Sequence, residues 1–409
     1  MSRISNILTS QKTFAVIIAA LLVALPLAYG FSTGILIGLA AVSLASLKFH
    51  RLHFDKALLI PVLFYVLMAV SLAWTSDLNS SLRGLERQLA MVLIPLSFIV
   101  MPTLSVKTRD QILYWFSLSL AILAIFLLIW AGVIYEYGHS ETFFYHALVA
   151  PLDLNAIYVS VFVSLSILFL LFKQKRSVWS LIALGILSLF LFLLASKIII
   201  VATVILGFFG IISAFKRSTI LKLLPFLMLG LGVLIFTSNP VKSRFQREIT
   251  ASNIIEVLEA DRFNKVYDWT GTTVRLFQAR IFSEMLEEDA IFWKGYGINN
   301  SKEKIIEKQK QYNLWQGYYT YNFHNQYIQA FAELGIFGLL CLFLVLGVIL
   351  KQYLSTKDSL FLFLFFIMLV VFITESYLWR QRGLYHFLVL FCLLLKAEIP
   401  TKAIHTNET

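Results

Sequence analysis

Asn322-Phe323-His324-Asn325-Gln326-Tyr327-Ile328-Gln329-Ala330-Phe331-Ala332-Glu333-Leu334-Gly335-Ile336-Phe337-Gly338-Leu339-Leu340 is a polar, histidine-bearing lead into a long apolar helix. It closes the long hydrophilic segment of the chain, residues 238–324, and most of the sequence on either side is compatible with hydrocarbon. An ionisable group where a polar loop meets a bilayer is a functional-site candidate by default. His324 is therefore the first residue to explain.

The chain has 409 residues, 59% hydrophobic and 14% charged, with a mean hydropathy of +0.80. A water-soluble fold of this size could not hide so much apolar surface. Runs able to cross about 30 Å of hydrocarbon, roughly 17 to 25 residues each, recur throughout. The sequence predicts an all-α polytopic membrane protein of about twelve transmembrane helices. These fall near 12–29, 31–47, 57–75, 88–102, 111–136, 154–172, 178–195, 197–214, 219–237, 325–350, 358–375 and 383–397. The expected organisation is nine spans within 1–237, an outer loop with amphipathic helices over 238–324, three spans within 325–397, and a tail over 398–409. The first span lacks the small-residue cleavage pattern of a signal peptide.

Basic residues set the expected orientation. With the N-terminus in the cytoplasm, the cytoplasmic ends carry 17 of the 34 Lys and Arg, and the short outer loops hold five: Arg83, Arg87, Lys197, Arg380 and Arg382. The other 12 lie in 238–324, whose length largely exempts it from the positive-inside rule and whose 11 acidic residues nearly balance them. Both termini are thus expected in the cytoplasm and the long loop outside. The net charge of +11 is mostly topological and implies no nucleic-acid partner. Cys341 and Cys392 fall inside spans and offer neither a disulfide framework nor metal-ligand spacing.

A loop of this length is functional or disordered, and its pattern argues for order. Val274, Phe277, Ile281, Phe282, Met285 and Leu286 recur at helical spacing, and Gly295-Tyr296-Gly297 is expected to stop that helix. A polar helix follows over about Asn300 to Tyr312. The aromatic run from Trp315 to Phe323 marks either a membrane interface or a sugar-binding surface. Glu259-Ala260-Asp261 and Glu287-Glu288-Asp289 read as solvated helix faces. The other histidines, His50, His53, His139, His146, His386 and His405, form no metal-ligand pair on an outer face; His139 and His146 share an outer loop near Asn155. Neither a metal nor another cofactor is expected, and no nucleotide loop or Ser/Cys nucleophile constellation stands out. Glu333, an intramembrane carboxylate, needs a polar partner; Glu375 could be that partner or could orient a cation.

The segment from His324 to Leu340, together with the order of spans, resembles the O-antigen ligase and O-antigen polymerase superfamily of bacterial membrane glycosyltransferases. Arg275 followed by Phe282, Met285 and Gly295-Tyr296-Gly297 is similar to the family's arginine, amphipathic helix and Gly-x-Gly element. Asn155-Ala156-Ile157-Tyr158-Val159-Ser160 resembles its His-Pro-x-Tyr-x-Ser motif, with asparagine in place of histidine. Ala195-Ser196-Lys197 resembles its Ser-Arg, with a lysine that keeps the charge but loses the planar fork for phosphate. Glu375-Ser376-Tyr377-Leu378-Trp379-Arg380-Gln381-Arg382-Gly383 resembles the approach to the last span. Specific motifs cover about residues 150 to 395; residues 1 to 150 agree only in topology.

The resemblance implies a GT-C-like architecture in the bacterial inner membrane with its active face in the periplasm. It implies a donor glycan on a polyprenyl diphosphate carrier, and a lipid A–core or other glycan acceptor. His324 would be the general base, since imidazole titrates near neutrality and nearby cations favour its neutral form. Arg275 and Lys197 would hold the diphosphate as charge develops on it. Asn325, Arg280, Arg380, Arg382 and Glu375 are possible supporting residues. Transfer would invert the anomeric centre and need no metal or nucleotide. The reading that fits best is a ligase; a polymerase would use the same donor chemistry. A transporter of lipid-linked glycan should show paired interrupted helices in two halves, which this sequence lacks.

Overall fold

The computed structural model describes residues 8–49, 52, 54–137, 142–173, 177–214 and 240–398. Over these the chain is almost wholly helical. The helices are α1 Gln11–Ala24, α2 Tyr29–Ser46, α3 Ile60–Val70 with one-turn 3₁₀ extensions at Lys56–Leu59 and Ser71–Ala73, α4 Leu78–Gln88, α5 Ala90–Val100 and α6 Val106–Glu136. They continue with α7 Tyr145–Val149, α8 Ala156–Phe172, α9 Val178–Leu193, α10 Lys197–Ala214, α11 Pro240–Ala251, α12 Ile254–Glu259, α13 Gly271–Glu288, α14 Ser301–Gln311, α15 Gln326–Thr356, α16 Ser359–Thr374 and α17 Gln381–Lys396. Two-residue strands, β1 Leu104–Ser105 and β2 Ala397–Glu398, pair in parallel and tie the start of α6 to the end of α17.

A helix occupies the body of every expected apolar stretch except 219–237, which lies outside the described residues. Among the described residues, Tyr29–Ser46, Lys56–Ala73, Val106–Glu136 and Gln326–Thr356 are long and apolar enough to cross a membrane. Tyr145–Leu152 and Ala156–Phe172 together make a fifth such element, bent by 92°. The centre of the bundle is α8 and α17, buried almost all round: Phe162, Phe387 and Phe391 are sealed in, and His386 sits against Phe162 at 4.3 Å. Outer helices turn apolar faces outward instead. On α6 the side chains of Ile122, Ile125, Phe126, Ile129, Trp130 and Val133 are exposed along one face. Water would not tolerate that contiguous patch, whereas lipid would. This is a membrane protein.

The segment before α15 folds as its own layer. Phe263, Phe277, Ile281, Met285, Tyr312, Leu314 and Phe323 form a second buried cluster, separate from the core of the bundle. Arg280 stitches it by donating to the carbonyls of Val257 (2.9 Å) and Ala260 (2.8 Å), and Lys308 bridges Glu284 (3.0 Å) and Glu288 (2.5 Å). The expected helices around 274–286 and 300–312 are α13 and α14.

Gly295 and Gly297 act differently from the expectation. The helix α13 already ends at Asp289, whose N–H donates to Met285. The glycines (φ +65° and +92°) instead let the backbone lie against a break in α15, where Gly335 takes φ +64° and ψ −158°. There the N–H groups of Tyr296 and Gly297 donate to the carbonyls of Ala332 (2.9 Å) and Glu333 (2.8 Å), and that of Ile336 donates to Phe292 (2.8 Å). The buried Glu333 carboxylate completes this joint. It accepts from Ser301 Oγ (2.5 Å), Gln329 Nε2 (2.9 Å) and the Asn300 N–H (3.2 Å). Its partners are thus neutral donors from the start of α14 and from α15 itself, and Glu375 is engaged elsewhere.

Candidate active site

Four local devices bring the sequence-selected residues to one place. The turn after α9 passes through Ala195 in the left-handed region (φ +46°), so that Lys197 opens α10. A capping box of Thr270 and Thr273 starts α13 and sets Arg275 one turn inside it. The end of α16 leaves Glu375 as its extended C-cap. Asn325 caps α15 by accepting from the Ile328 N–H at 3.0 Å. His324, just before that cap, is itself left-handed (φ +47°), a conformation uncommon outside glycine. The Asn322 side chain holds it there by accepting its N–H at 2.9 Å.

The side chains then form a connected relay. Arg275 donates through Nε to the Thr374 carbonyl (2.7 Å), through Nη1 to the Gly271 carbonyl (2.7 Å) and through Nη2 to Glu375 Oε1 (3.2 Å). The same Glu375 oxygen lies 3.4 Å from His324 Nδ1. That is longer than a well-formed hydrogen bond, as catalytic contacts without substrate commonly are. Both ring nitrogens of His324, Nδ1 and Nε2, are buried with no hydrogen-bond partner among the described residues, so Glu375 faces Nδ1 without closing a hydrogen bond, and the ring stands edge-on to Tyr321 with centroids 5.0 Å apart. Beside this relay, Lys197 Nζ pairs with Glu248 Oε1 at 2.5 Å, and Glu248 Oε2 accepts the Thr272 N–H at 3.1 Å. Burial pushes the Glu248 carboxyl up, but the hydrogen bonds from Lys197 and Thr272 and the lysine charge outweigh it and hold the group at about 2.

His324, Glu375, Arg275, Lys197 and Arg380 all line one open cavity of about 2110 Å³. Asn155 lines it too, capping α8 by accepting the Ile157 N–H at 2.8 Å. Two of the sequence-selected arginines lie elsewhere. Arg280 is spent on the loop layer. Arg382 binds the carbonyls of Leu25 (3.2 Å), Leu27 (3.0 Å), Leu152 (3.4 Å) and Asp153 (2.6 Å), tying the start of α17 to two loops. Of the aromatic run, Tyr318 and Tyr321 face the cavity while Phe323 is buried in the loop core. His146 lines the cavity as well; His139 lies outside the described residues.

Other lining residues were not singled out from sequence: Glu248, Arg244 and Arg247 on α11, Arg83 and Arg87 on α4, and Lys302 on α14. With Lys197, Arg275 and Arg380 the walls present eight Lys or Arg side chains against the carboxylates of Glu86, Glu248 and Glu375. Such a chamber attracts a polyanion. Two of its cations keep donors to spare. Arg275 uses three of a guanidinium's five N–H groups, and Lys197 shows one carboxylate partner for an ammonium's three. No group of three His, Cys, Asp or Glu side chains gathers among the described residues.

No curated protein matches the chain. Residues 182–343 match a family described as O-Antigen ligase. This stretch, under half of the chain, includes Lys197, Glu248, Arg275 and His324; Glu375 and Arg380 lie beyond it. The stretch that carries the histidine and several of its neighbouring cations is thus similar to the O-antigen ligase family, which supports a place for the chain in the O-antigen ligase and polymerase superfamily.

Proposed function

We propose that this protein is a membrane glycosyltransferase of the O-antigen ligase type, moving a glycan from a polyprenyl diphosphate carrier to an acceptor hydroxyl, lipid A–core or another terminal sugar. The observation that carries the reading is the alignment of Arg275, Glu375 and His324 along a strongly cationic cavity, with Glu375 facing Nδ1 and both imidazole nitrogens without a hydrogen-bond partner among the described residues. A carboxylate at Nδ1 favours the tautomer whose proton sits on that nitrogen, so Nε2 is the acceptor. As the acceptor oxygen bonds to the anomeric carbon, its proton passes to Nε2. The bond to the carrier breaks, and its electron pair leaves on the diphosphate. The spare donors of Arg275 and Lys197 meet that charge, and the acceptor attacks from the face opposite the leaving group, which inverts the anomeric centre. The carrier diphosphate supplies the driving force without nucleotide or metal.

The proposal includes twelve spans, cytoplasmic termini, an inner-membrane location and a periplasmic cavity. A polymerase would share every step up to the acceptor. The test is purified protein in liposomes given polyprenyl-diphosphate-linked glycan and a core oligosaccharide glycolipid. The expected result is a transferred glycan of inverted configuration with free carrier diphosphate released. A deletion strain should show bare core while long polymer accumulates on the carrier; core bearing a single repeat would make the protein a polymerase. No transfer from the lipid-linked donor to either class of acceptor would overturn the reading.

A further inference from the structure

Arg275 and Lys197 are paired with carboxylates, but a second group of cations in the same cavity is not. The helix α4 has three sectors. Leu78, Leu82 and Leu89 (just past its end) form an exposed stripe; Ser81, Gly84, Leu85 and Gln88 are buried; Arg83 and Arg87, one turn apart, occupy the third. The buried sector fixes the helix firmly. Ser81 Oγ donates to the Ile298 carbonyl (2.8 Å), Ser80 Oγ to that of Asn299 (3.1 Å), and Gln88 Nε2 to that of Leu378 (3.1 Å). A Cβ on Gly84 would stand 2.8 Å from Asn299 Cβ, so no larger residue fits that seat. Asn299 and Asn300, just before α14, hydrogen-bond to Ser80 and Ser81 of α4, and Lys302, in the first turn of α14, lines the same cavity as Arg83 and Arg87.

Among the described residues no carboxylate lies within ion-pair distance of Arg83, Arg87 or Lys302. Glu86 shares that stretch of wall without pairing to them. The same cavity has apolar lining as well: Leu89, two residues after Arg87, Leu93 of α5, and Leu36 and Ile37 of α2, with Ile37 and Leu89 exposed. An apolar slot beside unpaired arginines suits an amphiphile whose anionic group lies at the membrane interface. The carrier diphosphate is met by the cations beside His324, so the surplus positive charge is left for the other substrate.

We propose that Arg83, Arg87 and Lys302 form a second phosphate subsite, one that seats a lipid-anchored, phosphate-bearing glycolipid acceptor. This rests on the transferase reading for the word acceptor, but the binding itself is measured without turnover. The experiment uses the full chain in phosphatidylcholine nanodiscs, with bis-phosphorylated lipid A and undecaprenyl diphosphate as separate probes. Losing two charge-assisted contacts should weaken lipid A binding by about tenfold or more in R83Q/R87Q, with undecaprenyl diphosphate affected by less than about twofold. R275Q should give the reverse pattern. K302Q is the independent variant should the double substitution not fold, and it should weaken lipid A alone. Unchanged lipid A affinity in the folded R83Q/R87Q or K302Q proteins would overturn the proposal. So would equal weakening of both probes, which would mean a diffuse cavity potential, or competition by phosphatidylglycerol as strong as that by lipid A. If transfer activity proves absent while the lipid A result holds, the transferase reading fails and the subsite stands.

Discussion

Replacing Gly335 with alanine should separate the outer layer from the helix that follows His324. At φ +64° and ψ −158° the position is one that glycine alone adopts readily. A Cβ there would stand 2.3 Å from the Trp293 carbonyl carbon and oxygen and 2.5 Å from the Lys294 nitrogen, all backbone atoms. Relief requires the two segments to part by about 1 Å, beyond what a hydrogen bond tolerates. Three backbone bonds cross this joint, those of Tyr296, Gly297 and Ile336. Conformational strain of about 1–3 kcal/mol and three lost bonds at about 0.5–1.5 kcal/mol each give roughly 3–7 kcal/mol. The direct assay is native-state hydrogen exchange in detergent or nanodiscs. At the low end of that range, protection of the three amides should fall about 100-fold. Protection equal to wild type in folded G335A would refute the interlock.

Two further substitutions test the site. Glu375→Gln keeps the shape but can turn an amide N–H toward His324 Nδ1, moving the imidazole proton to Nε2; kcat should fall by about 10²–10⁴ with donor KM little changed, and a wild-type kcat would remove Glu375 from the relay. The Glu248 carboxyl, held at about 2, lies below its ordinary value of about 4.3. It therefore contributes stability fully present above the ordinary value and lost as pH falls through about 2. Between about pH 5 and 2 the wild-type melting temperature should drop further than that of Glu248→Gln; parallel curves would show that the pair with Lys197 adds nothing.

The apolar helices were legible because hydrophobic length and period are local properties, and so were α13 and α14 from their spacing and polarity. The helix α4 carries no apolar run to mark it, although Asp77, its N-cap, precedes leucines at 78, 82, 85 and 89. In sequence its arginines read only as markers of orientation. His324, Arg275 and Lys197 were selected by motif, and their convergence on one cavity depends on tertiary contacts that no local pattern encodes. Glu375 is shared between Arg275, 100 residues earlier, and His324, 51 residues earlier, and the Lys197–Glu248 pair likewise joins α10 to α11. Gly295 and Gly297 looked like a helix stop because backbone freedom reads the same whether it ends a helix or admits a neighbouring chain. Only the matching break at Gly335 tells the two apart. Arg280 and Arg382 were attractive as outer-face cations, but carbonyl groups claim them.

In the proposed mechanism His324 Nε2 takes the acceptor proton. The most direct measurement is the rate of glycan transfer by His324→Ala in liposomes, followed across pH alongside wild type and with donor binding measured separately. Expected are a kcat lower by about 10²–10⁴, loss of the acidic limb of the wild-type pH–rate profile, and nearly unchanged donor affinity. A folded His324→Ala protein that transfers at the wild-type rate with the same pH profile would contradict that mechanism.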